Sequence, residues 1–164
     1  MKKSSIESKN YDIIEFCVRN VETVRIPSFI KKIGPYSFNR CINLYNIEIN
    51  DDSELYTIEK SAFANSYIEF LNFPRNLTEL KEGWCLSTFN LNEAIISPNN
   101  KNFCIYNDNL ILGKSSVDIE CFDVVVLCFR DVEKVKIPSQ IKKIANYAFQ
   151  KCNYLESVEI PQNS

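Results

Sequence analysis

A chain of 164 residues with 45% apolar side chains and a formal charge of −2 is long and apolar enough for one folded core. Its basic and acidic residues alternate, so it carries no basic footprint for nucleic acid, and no apolar run approaches the roughly 20 residues that span a bilayer. It has no histidine, three glycines, and seven cysteines of which no two stand at C-x-x-C spacing. That removes the usual proton shuttle, a phosphate-cradling glycine loop and a cysteine metal pair. The composition predicts no enzyme, with no catalytic residue, no cofactor and no metal site. The odd cysteine count also fits poorly with a fully paired disulfide framework.

Taken in chain order, "MKKSSIESKN" is basic but has no apolar segment behind it, so it does not read as a secretory signal. After "DIIEFCVR" (12–19) an apolar cassette, L-x-x-I-x-I, begins and recurs six times. Its members are Val21/Val24/Ile26, Leu44/Ile47/Ile49, Ile68/Leu71/Phe73, Leu91/Ala94/Ile96, Val132/Val135/Ile137 and Leu155/Val158/Ile160. The starts are 23, 24, 23, 41 and 23 residues apart. Alternation puts the last two apolar residues of each cassette on one face of a short strand, and a 23–24-residue period falls in the window of leucine-rich repeats.

A second apolar set follows most strands: Ile30, Ile33 and Phe38; Leu55, Ile58 and Phe63; Leu77, Leu80 and Trp84; Ile141, Ile144 and Phe149. It predicts the opposite wall of a coil. Behind it stands a small side chain, Cys41, Ser66, Thr88 or Cys152, and this interchange argues for a structural slot over a catalytic cysteine. The rhythm breaks at about 97–131, where Asn107–Asn109 between apolar runs predicts a hairpin and "VVVLCF" (124–129) a strand leading back into the coil. The carboxylates of "NDDSEL" (Asp51, Asp52, Glu54) lack EF-hand spacing and read as a solvated turn, and Asn76 heads an N-glycosylation sequon.

A longer period overlies the short one. Shifting the chain by 111 residues aligns 3–49 with 114–160, and 22 of those 47 positions are identical. The matches include Cys17 with Cys128, Arg19 with Arg130 and Cys41 with Cys152. The chain thus begins within the same excursion that interrupts it later, and it stops after a strand. With no polar capping unit at either end, this predicts one repeat-solenoid domain over 1–164, cut from a longer array.

"VKIPSQIKKIANYAFQKC", "LESVEIPQNS" and "IEFLNFPRNLTEL" resemble the BspA-like leucine-rich repeats, most closely the versions in surface antigens of mucosal protists and bacteria. The I-P-x-x-I-x-x-I-x-x-x-A-F-x-x-C signature is complete at 137–152 and has only Ser37 for Ala at 26–41. Trp84-Cys85 in place of Ala-Phe, and Ala94 in place of a larger aliphatic, are departures that leave the register of the third and fourth units open. The resemblance implies a mainly β solenoid, with one short parallel strand per unit and turns or short helical returns. It further implies a cell-surface or secreted location and a non-enzymatic, adhesin-type role in binding host or cell-surface proteins.

Outward strand positions should form columns on one exposed sheet face. There Glu recurs at 22, 69, 133 and 156, and Tyr45, Phe70 and Ile95 bring apolar groups onto three consecutive strands. An apolar cluster rimmed by carboxylates predicts a protein-binding surface of Tyr45, Glu48, Glu69, Phe70, Asn72, Glu93 and Ile95. The alternative expectation is a structural module whose copies join as homo-oligomers or arrays through the ends of the coil.

Overall fold

The computed structural model describes residues 1–3 and 11–162. The first copy of the long repeat includes Ser4 and Ser5 of the duplicated "KSS", which lie outside the described residues. Along one wall run β2 (Thr23–Ile26), β4 (Asn46–Ile49), β6 (Phe70–Phe73) and β8 (Glu93–Ile96), paired in that order and all parallel. Along the other run β1 (Ile13–Ile14), β3 (Lys32–Ile33), β5 (Thr57–Ile58) and β7 (Glu79–Leu80), also parallel. Register follows the cassettes: Val24 lies opposite Ile47, and Leu71 opposite Ala94. The small Ala94 therefore leaves the register of the fourth unit intact.

Among the described residues there is no helix, so the returns are turns with two-residue strands and not short helical segments. Each return carries two residues of positive φ four positions apart: Tyr36 and Arg40, Ser61 and Asn65, Gly83 and Ser87, Tyr147 and Lys151. An L-residue in this region costs roughly 1–2 kcal/mol, and cross-turn hydrogen bonds offset it. The Tyr36, Arg40 and Asn65 amides donate along the coil to the carbonyls of Lys60, Ala64 and Leu86. A helical return would direct those amides along its own axis and leave the next turn without a partner.

Between the walls the core is continuous. Ile47, Leu71, Ile33, Ile58, Phe38 and Phe63 are fully enclosed, and the rings of Phe38 and Phe63 stack with centroids 5.2 Å apart. In the third unit Phe63 N donates to Trp84 O where Phe38 N donates to Ala62 O, so Trp84-Cys85 keeps the place of Ala-Phe. The indole stands edge-on to Phe63 and Phe73.

The break is a hairpin. β9 (Phe103–Tyr106) and β10 (Leu110–Gly113) pair antiparallel across Asn107 and Asp108, both at positive φ. Next, β11 (Val124–Cys128) joins β10 antiparallel and β13 (Lys143–Ile144) parallel, which returns the chain to the coil. β12 (Lys134–Lys136) pairs with β14 (Ser157–Glu159) in a separate two-stranded sheet. The expected single six-strand face is therefore divided into four strands and two, because the hairpin intervenes: Asn109 O accepts from Phe129 N, and its Nδ2 reaches Lys134 O. The first copy retains a trace of the excursion. Lys2 bridges Ile13 antiparallel, where Gly113 of the second copy pairs with Val124.

Asp12 and Asp123 join excursion to return in both copies. The Asp123 carbonyl accepts from Lys142 N and Lys143 N, as that of Asp12 does from Lys31 N and Lys32 N. The buried Asp123 carboxylate takes the Ser115 hydroxyl at 2.7 Å and the Ser115 amide at 2.8 Å. These bonds, the hydroxyl first, hold its pKa below the ordinary carboxylate value. In the final turn the inward positions are less covered: Val158 is 42% and Ile160 62% exposed, while the equivalent Ile47 and Ile49 are 0% and 4%.

Two outcomes follow. Ile47→Ala should lower unfolding free energy by about 2–5 kcal/mol, and Val158→Ala by about 1 kcal/mol or less, in urea titrations. Because the Asp123 pKa is depressed on folding, its stabilisation is present above the unfolded value of about 3.9 and is lost as pH falls through the folded value. Ser115→Ala should accordingly be less stable than wild type at pH 7, with the difference shrinking below about pH 4 in acid titrations followed by circular dichroism.

Candidate protein-binding face

On the four-strand wall the outward side chains are placed by register. Arg25 lies opposite Glu48, and its Nε donates to Glu48 Oε2 at 2.8 Å across the exposed face. Phe70 lies between Asn46 and Glu93, while Asn72 lies opposite Ile95. Tyr45 precedes β4: its amide bonds Glu22 O, and Glu69 N in turn bonds Tyr45 O. Hence Tyr45, Phe70 and Ile95 stand in three different columns and run diagonally across the face.

All three remain available. Tyr45 is 46% and Ile95 56% exposed, and Phe70 is half-buried. Glu69 and Glu93 are exposed beside them, and Glu48 is half-buried in its pair with Arg25.

A hollow of about 160 Å³, which no motif announced, lies at the C-terminal ends of β4, β6 and β8. Ile49, Phe73, Pro74, Ile95 and Pro98 form its apolar wall, and Asp51, Asn72 and Ser97 its polar rim. The Asn72 Oδ1 is buried with no hydrogen-bond partner. The accessible acceptor on the rim is the exposed Asp51 carboxylate, and the chemistry that complements it is a donor group, above all a cationic one. Asp51 thus takes part in the face through its place at the strand ends, while Asp52 and Glu54 stay in the exposed turn, with Glu54 3.9 Å from Lys31. The sequon amide of Asn76 donates to Ser53 O at 2.7 Å, which ties one turn to the previous one.

A larger cleft of about 540 Å³ opens on the other wall, where β7 ends and the hairpin sheet begins. It exists because β11 pairs with β10 and leaves the outer edge of β7 open. Its lining mixes Glu79, Lys81, Lys114 and Lys143 with Trp84 and Val126, and Lys81 is bound to Glu79. No single ligand charge is favoured there. Among the described residues no three potential metal-ligating side chains cluster anywhere.

The profile of the BspA type Leucine rich repeat region matches six copies, over residues 1–111 and 115–164. The chain belongs to the BspA-type leucine-rich repeat family. No curated protein matches it. Among solved structures, this BspA-type chain is similar to the pneumococcal vaccine antigen PcpA, with a TM-score of 0.77 at 23% identity over 87% of this chain and 34% of that one. A leucine rich cell surface protein of Faecalibacterium prausnitzii A2-165 matches with a TM-score of 0.76 at 22% identity, over 88% of this chain and 37% of that one. A leucine-rich repeat protein of Eubacterium ventriosum follows with a TM-score of 0.60 at 19% identity, over 87% and 48%. The chain spans less than half the length of each, and the likeness is one of fold.

Asn72 separates fold from face. Asn72→Leu removes a buried, unpartnered acceptor while keeping the branched shape on a half-buried position, so its melting temperature should equal or exceed that of wild type. Any partner that uses the hollow should then bind the variant about tenfold or more weakly by surface plasmon resonance.

Proposed function

We propose that this BspA-type chain is a non-enzymatic protein-binding module of cell-surface adhesin or antigen type. It docks a host or cell-surface protein on the diagonal of Tyr45, Phe70 and Ile95, within the carboxylates Glu48, Glu69 and Glu93. The observation that carries this reading is the side-by-side placement of exposed apolar groups, acidic rim and the Asn72 hollow on one rigid parallel sheet. Such a face suits a partner that inserts a Lys or Arg with its alkyl stem on Ile95 and its cationic head toward Asn72 and Asp51. The names of two structural neighbours, a vaccine antigen and a cell surface protein, support a surface location. Among the described residues no helix is long and apolar enough to cross a membrane.

The test is adhesion of beads coated with the full chain to epithelial cells, compared with the triple variant Tyr45→Ser, Phe70→Ser, Ile95→Ser. A fall of about tenfold at an unchanged melting temperature is expected, together with weakening by salt. Unchanged adhesion at an unchanged melting temperature overturns the reading.

A second reading, self-assembly, is favoured by the exposure of Ile144, Val158 and Ile160 on the final turn. Light scattering that shows concentration-dependent association, abolished by Val158→Lys, supports it; a monomer at every concentration removes it.

A further inference from the structure

The slot three residues beyond the return's aromatic position is structural in three turns. Ser66 Oγ donates to Phe63 O at 2.6 Å, Thr88 Oγ1 donates to Cys85 O at 2.9 Å, and Cys41 is fully enclosed. Cys152 departs from this pattern. It is only half-buried, and its sulfur faces a guanidinium.

Arg130 is 2% exposed. Its Nη1 donates to Cys128 O at 3.0 Å, to Ala148 O at 3.2 Å and to Cys152 Sγ at 3.5 Å. Its Nη2 lies 3.9 Å from Cys85 Sγ, and its Nε has no partner. Cys85 makes the room, since it stands where the other returns have Phe. Among the described residues no ion pair joins Arg130 to a carboxylate, and a guanidinium cannot shed its proton to relieve burial. The anion within reach is a Cys152 thiolate.

The neighbouring groups sort the three thiols. The Cys128 thiol beside it, reinforced by Arg130, pulls the Cys152 pKa below the ordinary thiol value against the effect of burial. The same contact, with burial and the charge of Asp131, pushes Cys128 up, and burial pushes Cys85 up to about 11. Two carbonyls, Cys128 O at 3.6 Å and Phe129 O at 3.7 Å, also face the Cys152 sulfur and favour its protonated form. Arg130 occupies the first of them with its own Nη1.

The long repeat supplies an internal contrast. Cys17, Arg19 and Cys41 are the same constellation 111 residues earlier. There Arg19 lies over the Phe16 ring at 5.0 Å and also reaches the Cys41 thiol, but burial outweighs it and pushes the enclosed Cys41 up.

We propose that Cys152 is a nucleophilic thiolate site, held by Arg130 and resolved by Cys128, that reacts with small disulfides at the surface of the coil. The Cys152 thiolate attacks one sulfur of R–S–S–R, which breaks that S–S bond, forms the mixed disulfide Cys152–S–S–R and releases RS⁻. Cys128 passes its thiol proton to the released RS⁻ and attacks the Cys152 sulfur. The mixed disulfide breaks, Cys128–Cys152 forms, and a second RS⁻ leaves. One RSH and one RS⁻ are produced; the external disulfide gains the two electrons that the cysteines lose.

The test is iodoacetamide labelling of the full folded chain across pH 5 to 9, read cysteine by cysteine by peptide mass spectrometry. Cys152 should label with a midpoint clearly below the ordinary thiol value of about 8.5. At pH 7 Cys152 should react about tenfold or more faster than Cys41. Arg130→Gln should raise the Cys152 midpoint by about one unit or more. If that variant fails to fold, the wild-type midpoints alone decide. Oxidised glutathione should give a Cys128–Cys152 linked peptide in wild type and a glutathionylated Cys152 in Cys128→Ser. A Cys152 midpoint in the ordinary thiol range, a Cys152 as inert as Cys41, or disulfide formation at other cysteines overturns the proposal.

Discussion

In this coil a turn buries its apolar wall almost entirely against its neighbours, and the bonds that hold successive turns in register run from amides turned sideways by left-handed residues. Tyr36, Arg40 and Asn65 spend backbone strain to aim their N–H groups along the coil axis. Strands only two residues long, such as β3 and β5, could not hold a wall together by themselves. With those amides the ladder is continuous, and the enclosed Ile33, Ile58, Phe38 and Phe63 follow as its contents. Face, hollow and cleft are all positioned by this ladder or by its one interruption.

How much of this was readable depended on whether the signal was periodic. The strand residues Ile47, Leu71 and Ala94 were legible because alternation and a 23–24-residue period reinforce each other. The left-handed positions were not, since Tyr36, Arg40, Ser87 and Lys151 carry no turn signature and only Asn65 and Gly83 suggest one. The hairpin was marked by Asn107 and Asp108, but its effect on the outer wall depends on β10 pairing with β11, a contact that no local pattern encodes. For the face, alternation placed Tyr45, Phe70 and Ile95 on three consecutive strands, and the strand register adds that they stand in different columns.

The cysteines show the limit of reasoning by repeat position. Interchange with Ser and Thr describes Cys41, whose slot is closed. It describes Cys152 only in part, because Arg130 and Cys128 of one segment face it while Cys85 of another lies against Arg130, and Cys85 is smaller than the Phe it replaces. A repeat can thus hold its backbone constant while one substitution in a neighbouring turn changes the chemistry of a slot. The same logic applies to the outward strand face, where Tyr45 and Glu156 occupy equivalent backbone positions.

The similarity of the two copies has a consequence for how the chain finds its structure. The return segments that hold β3 and β13 share Ile-Lys-Lys-Ile, so in an unfolded chain either could zip against β1 or against β11 with the same side-chain code. What distinguishes the two among the described residues is the hairpin: β11 comes with β10 already at its side, whereas β1 shows the Lys2 bridge. A local antiparallel pair closes quickly and without long loops. The interruption in the coil therefore acts as an address label, telling the second copy which copy it is before stacking begins.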